Sequence, residues 1–160
     1  MQLRRGCKGW WQLLLIAAAD RITKAAVMRL PAGARPLWPG VINVRRAGNS
    51  GMAFSMLSGQ RLLLSISTLL IVAAIVGWLI AHPEAKGLTR IGLWWIAGGG
   101  LGNLYDRLTL GYVIDFIEPA FVRFAVFNIA DAGICLGAAM VAIGALMEER
   151  HKRRHGHAGV

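Results

Sequence analysis

Two aspartates in the second half of the chain stand where carboxylates are costly. Asp115 follows Val113 and Ile114 and precedes Phe116. Asp131 lies in an apolar run, three residues after Asn128. An ionisable group in an apolar segment of membrane length is a functional candidate by default. Two such acids, each with Asn or Arg nearby in sequence, predict a shared site. Two carboxylates held close together cannot both ionise readily, so they share a proton. The ionised one can take a proton from water while the neutral one gives a proton to a carbonyl oxygen. No Ser, Cys or His stands in a nucleophile–base pattern. The four histidines, His82, His151, His155 and His157, fall near helix ends, away from both acids. Neither a metal nor a cofactor is expected.

A second polar group sits upstream. Asp20, Thr23 and Lys24 are spaced i, i+3, i+4 and share a helix face. A purely structural Asp20–Lys24 ion pair is the plainer account, but intramembrane ionisable groups usually pair for function. Arg21 is expected to point elsewhere and snorkel, and Lys24 to reach the surface, which ranks Lys24 below Asp20. Asn103 and Arg107 stand at i and i+4 near a helix end. Asn128 and Asp131 are placed on one face of the last helix. Asn49-Ser50-Gly51 is a turn signal, and by itself Asn49 is ordinary turn chemistry.

The positioning elements follow from composition. Apolar residues make up 56% of the 160 and charged residues 16%, which is wrong for a soluble protein of this size. Leu62 to Ala81 is uncharged and long enough to cross a bilayer. Phe124 to Met147 carries only Asp131, while Trp10–Leu30 and Leu88–Tyr105 are apolar but interrupted. Four transmembrane helices in one membrane-embedded domain, residues 1–160, are expected, with a basic tail from about 148. The fold class is all-α and polytopic. The loop of residues 31–61 is broken by Pro31, Pro36 and Pro39 and contains a β-prone Val41–Val44. The loop of residues 108–123 contains a β-like Tyr112–Ile117. The Gly98/Gly102 and Gly133/Gly137 pairs are small-xxx-small faces for close helix approach. The run Gly98-Gly99-Gly100 is not a dinucleotide loop, since no strand precedes it.

Depth is consistent with one site. Asp131 lies about 24 Å from Met147 at the helical rise, and Asn103 about 23 Å from Leu88. Asp20 comes level only if its helix starts near Arg5. Nine Lys/Arg fall on the side of the termini and seven opposite, so both termini are expected in the cytoplasm, with the tail cluster Arg150, Lys152, Arg153 and Arg154 deciding. The net charge of +10 is therefore a topology signal rather than a nucleic-acid footprint. Arg4, Arg5 and Lys8 before an apolar run suggest a signal peptide, but Asp20, Arg21 and Lys24 interrupt it, so a retained helix is expected. Cys135 reads as a small core residue. Cys7 has no readable partner, and a disulfide is not expected.

Together these stretches resemble the bacterial lipoprotein signal peptidases (signal peptidase II), over nearly the whole chain. Asp20-Arg21-Ile22-Thr23-Lys24 is similar to the family's D-x-x-T-K. Asn49 to Phe54 is similar to N-x-G-x-A-F. Gly98 to Arg107 is similar to G-G-x-x-G-N-x-x-D-R with one further Gly, and the blocks Val113–Phe116 and Phe127–Asp131 are similar to the two catalytic blocks. The stretch Arg45-Arg46-Ala47-Gly48 before Asn49 is more basic than the family pattern. The resemblance implies an intramembrane aspartyl protease of the bacterial inner membrane with a small extracytoplasmic β-sheet from loops 1 and 3. It implies cleavage on the N-terminal side of the diacylglyceryl-modified lipobox cysteine of prolipoproteins. By the same resemblance Asp115 and Asp131 are the catalytic dyad, supported by Asp20, Lys24, Asn49, Gly51, Asn103, Arg107 and Asn128. Membrane lipids and globomycin-type cyclic peptide inhibitors are implied partners. A proton-coupled transporter is the alternative from another class, since Asp20, Lys24 and Asp131 would suit a relay. The acids gather at one face, however, and no inverted repeat is present. A small glycine-faced scaffold is the third reading, and it leaves Asp115 unexplained.

Overall fold

A computed structural model describes residues 8–31, 33–51, 56–85 and 87–156, with side chains to residue 153. The expectations at Arg4, Arg5, Cys7, Met52-Ala53-Phe54, Lys86, Arg154, His155 and His157 lie outside the described residues or side chains. Among the described residues, four helices and three strands follow in the order α1 (Trp11–Met28), β1 (Arg35–Trp38), β2 (Ile42–Asn49), α2 (Arg61–Ala81), α3 (Gly87–Thr109), β3 (Val113–Pro119) and α4 (Ile129–Gly156).

α3 is the centre of the bundle and packs on α1, α2 and α4. Its glycines make this possible. A Cβ on Gly98 would lie 2.7 Å from the Leu13 carbonyl oxygen of α1, and one on Gly137 of α4 would lie 2.6 Å from the Gly92 carbonyl oxygen. Only residues without a Cβ let backbones come this close. Large apolar side chains point outward instead: Ile22 on α1 and Leu62 on α2 are 69% and 74% exposed. Two helices, Arg61–Ala81 and the stretch Ile129–Arg153, are long and apolar enough to cross a membrane. α1 and α3 carry buried ionisable groups: Asp20 and Lys24 on the first, Arg90, Asp106 and Arg107 on the second.

The first helix starts at Trp11, yet Asp20 comes level with the site, against the expectation that this needs a start near Arg5. The reason is where α1 begins against α3. The Lys8 carbonyl oxygen accepts hydrogen bonds from Trp94 Nε1 (2.9 Å) and Arg90 Nη1 (3.1 Å), and Trp95 Nε1 donates to Gln12 Oε1. α1 therefore starts higher than α3, and the steps from Gln12 to Asp20 and from Trp95 to Asn103 are equally long. Cys135 is exposed rather than in the core. Gly133 and Gly137 face inward against Ile16 and Ile96, and a residue midway between them on a 3.6-residue helix points the other way.

The strands form one antiparallel sheet in the order β1-β2-β3. The stretch Val41–Val44 is the start of β2, which runs on to Asn49, and Tyr112–Ile117 corresponds to β3. β1 is an additional strand. Val44 opposes Ile117 and Ala47 opposes Asp115, so β2 holds one extra residue between these pairs. Such a bulge re-aims the side chains beyond it. Asn49 consequently opposes Val113, on the diagonal from Asp115. The last helix starts at Ile129, not Phe124, because Phe127 bridges to Ile117 as an extended residue.

Candidate functional site

The site forms where the sheet meets the end of the helix bundle. Asn128 is the N-cap of α4 rather than a residue on its face. Its carbonyl accepts from Ala132 N, its Oδ1 accepts from Asp131 N at 2.8 Å, and Asp131 Oδ2 accepts from Asn128 N at 3.3 Å. This reciprocal arrangement is a capping box with Asp in the third helical position. An acid there is favoured by the positive end of the helix dipole. The spacing N-x-x-D thus sets both the helix start and the direction of the Asp131 carboxyl.

Asp115 arrives from β3. Its Oδ1 accepts from Asn128 Nδ2 at 2.7 Å and its Oδ2 from Asn49 Nδ2 at 3.0 Å. Asn49 is itself oriented, since its Oδ1 accepts from Gly51 N at 2.9 Å, and Arg107 Nη2 donates to the Gly51 carbonyl at 2.9 Å. Two asparagines bridge the acids. Asn128 Nδ2 also donates to Asn103 Oδ1 at 3.1 Å, and Asn103 Nδ2 donates to Asp131 Oδ1 at 2.7 Å. Asp115 is only 2% exposed. Burial, then the nearby Asp131 charge, pushes its carboxyl up to about 6, against the two amide donors and the Lys24 charge.

The upstream group is a closed ion cluster beneath this site. Lys24 Nζ lies 2.7 Å from Asp20 Oδ2 and 2.8 Å from Asp106 Oδ2. All three side chains are fully buried, so Lys24 does not snorkel and the ranking built on that expectation loses its basis. Arg21 does not point away either: it pairs with Asp106 and lies 4.6 Å over the Tyr105 ring. Lys24 also makes a long 3.4 Å hydrogen bond to Asn103 Oδ1. The remaining carboxylate oxygens reach the backbone of the site. Asp106 Oδ2 accepts from Ile114 N at 3.2 Å, and Asp20 Oδ1 accepts from Ala130 N at 3.0 Å. Each acceptor therefore holds the residue immediately before one of the two site aspartates. A Cβ on Gly102 would stand 2.8 Å from Asp20 Oδ2, so this position must be glycine for Asp20 to enter.

All nine sequence-predicted site residues come together here: the two aspartates, five residues around them, and the pair Asp20–Lys24 below. Asp106 is the residue that sequence reasoning passed over. It had a signal: it is an acid in an apolar helix, three residues after Asn103, in the same i, i+3, i+4 pattern that marked Asp20 and Lys24. An open cleft of about 750 Å³ starts at Asp115 and Asn49 and extends over the sheet to Glu118 and Arg123.

Comparison with known proteins gives one consistent result. Residues 12–147 match the family model described as Signal peptidase (SPase) II. The chain is 35% identical over 139 residues to a lipoprotein signal peptidase of Streptococcus pneumoniae (strain ATCC BAA-255 / R6), covering 86% of this chain and 91% of that protein. A lipoprotein signal peptidase of Streptococcus pyogenes serotype M5 (strain Manfredo) is similar to the same extent. Among solved structures, a bacterial membrane enzyme determined by the in meso method at 2.3 Å resolution superposes with a TM-score of 0.83, at 26% identity and 89% coverage of both chains. A second, at 1.9 Å resolution, gives a TM-score of 0.77, also at 26% identity, over 85% of this chain and 90% of that one.

Proposed function

Since the chain belongs to the signal peptidase II family of lipoprotein signal peptidases, we propose that Asp115 and Asp131 are its aspartic dyad. The observation that carries this reading is the asparagine bridge. Two carboxyls from different elements are linked through Asn128 and Asn103, and each is met by oriented amide donors. The hydrogen bonds to the two carboxyls come from neutral amides rather than from cations, which supports one proton shared between them.

Catalysis then follows from proton positions. The ionised carboxyl takes a proton from a water molecule as the water oxygen attacks the scissile carbonyl carbon. The protonated carboxyl gives its proton to the carbonyl oxygen. Collapse of the tetrahedral diol breaks the C–N bond, and the leaving amine takes up a proton from the dyad. The raised proton affinity of Asp115 favours it as the carrier of the shared proton. Asn49 and Asn128 hold Asp115, while Asn103 and the Asn128 backbone hold Asp131. Arg107 holds the Gly51 turn, and its guanidinium lies in the field of Asp131, Asp115 and Asp106.

The substrate is a prolipoprotein carrying a diacylglyceryl group on its lipobox cysteine, cut on the N-terminal side of that cysteine. Globomycin-type cyclic peptides would compete for the same place. The molecule is a single membrane-embedded unit with four crossings, the sheet outside and both termini in the cytoplasm. The outward apolar side chains of α1 and α2 support this arrangement. A proton relay is disfavoured because Asp20 and Asp106 are balanced by Lys24 and Arg21 at one end of the bundle. The test is to incubate the purified protein with a diacylglyceryl-modified prolipoprotein and weigh the products. Two fragments divided immediately before the lipidated cysteine are expected. An uncut substrate, or a cut elsewhere, would overturn the reading.

A further inference from the structure

Of the two site aspartates, Asp115 lines the open cleft, with Asn49 beside it, and they account for only part of its wall. From Asp115 the cleft follows β3 to Glu118 and turns against the segment that carries Arg123, Ala125 and Val126. Asp115 and Glu118 are three residues apart, about 10 Å at the strand rise, which is about three residues of extended peptide. Ala47 and Gly48 form part of the wall, and their lack of long side chains leaves room for a backbone. Among the described residues, the backbones of Ala125 and Val126 make no hydrogen bond to other backbone groups, so the opposite wall offers open donors and acceptors. An extended chain uses such groups by adding a strand.

The charges in the cleft are unequal. Glu118 is neutralised by Arg45 at 2.8 Å. Arg123 is exposed and, among the described residues, has no acidic partner. The far end of the cleft is therefore positive.

We propose that this cleft binds the first residues of the substrate carboxyl-terminal to the scissile bond, and that Arg123 selects for acidic side chains among them. The inference rests on the peptidase reading above. The part of a prolipoprotein before the cut is apolar and belongs with the helices, and so do the acyl chains. Only the polypeptide that leaves the membrane brings a polar backbone to a polar, open cleft that begins at the catalytic carboxyl. An acidic side chain two to four residues after the lipidated cysteine would come within reach of Arg123.

The experiment uses diacylglyceryl-modified prolipoproteins in one detergent, identical except for Asp, Ala or Lys at the second to fourth positions after the lipidated cysteine. kcat/KM is measured for the parent, Arg123→Gln and Arg123→Glu. The parent is expected to prefer the acidic over the basic substrate by about 2–5-fold, the scale of one solvent-exposed ion pair. Arg123→Gln should flatten the preference and Arg123→Glu should reverse it. A substrate that ends directly after the cysteine should lose kcat/KM chiefly through KM. Equal rates for the three substrates in the parent, or a preference that survives in Arg123→Glu, would overturn the proposal. So would an Arg123 effect that depends on added anionic phospholipid and not on substrate charge, which would make the arginine a headgroup contact. Failure of the parent to cut any substrate is a distinct result and would overturn the peptidase reading on which the inference stands.

Discussion

Asp115 is placed against its own electrostatic preference. Burial raises its value to about 6 from an ordinary 3.8, so between these values the folded protein holds a proton that the unfolded chain has lost. Stability therefore falls as pH rises from about 4 through 6. At neutral pH the cost reaches about 3 kcal/mol, at 1.36 kcal/mol per pKa unit. Asp115→Asn removes this cost while keeping the size of the side chain. The variant is expected to melt at a higher temperature than the parent at pH 8, with the gap closing toward pH 4, as read by thermal unfolding in detergent. A lower melting temperature at pH 8 would show that the charged carboxylate is stabilised there. Asp115 and Asp131 were readable in the sequence because an acid among apolar residues is conspicuous. The Asn128 cap was not, because N-x-x-D inside a continuous apolar run reads equally well as helix interior. Only the Phe127–Ile117 bridge ends that ambiguity.

Among the elements, α1 acts on the site without touching either carboxyl of the proposed dyad. Lys24 joins Asp20 and Asp106 at 2.7 and 2.8 Å, and these two acids hold the backbone just before Asp131 and Asp115. The ion cluster thus ties α4 and β3 to a common point. Lys24→Met would leave two buried carboxylates without their common cation, and a loss of one partner in a buried pair costs about 3–5 kcal/mol. The variant is expected to melt earlier and to lose turnover at least as severely as Asp20→Ala. Its kcat/KM profile should also shift to higher pH, because the Lys24 charge restrains the rise at Asp115. An unchanged pH profile would mean that Lys24 acts through folding alone. The Asp20–Lys24 pairing was visible in the i, i+4 spacing, but its connection to Asp106 was not. Spacing within one helix says nothing of which residue on another helix lies at the same height. That height depends on α1 starting beside Trp94 and Trp95, a contact that no periodicity encodes.

For the whole molecule, the four-helix order with a sheet from the two loops was readable from apolar runs, prolines and β-prone stretches. β1 and the bulge in β2 were not, since Arg35–Trp38 carries no alternating pattern and all four of its residues are exposed. Two of the helices are plain candidate spans, and the other two pair Asp20 and Lys24 of α1 with Asp106 of α3. The inward-facing pairing of Lys24, Asp20 and Asp106 supports the four crossings proposed above. Reporter fusions at residue 85 and at the C-terminus are both expected to report the cytoplasm, and an external signal from either would contradict this topology.

The dyad itself is tested by turnover of Asp115→Asn, Asp131→Asn and the double variant on lipid-modified prolipoprotein, with products weighed. An amide keeps shape and hydrogen bonds but cannot pass a proton between water and carbonyl. Each single change is expected to lower kcat by at least about 10²–10⁴-fold, the usual loss of one acid–base group. The double change should cost little more than either single one, because the two carboxyls act as a unit. Full cleavage by either single variant would contradict the dyad.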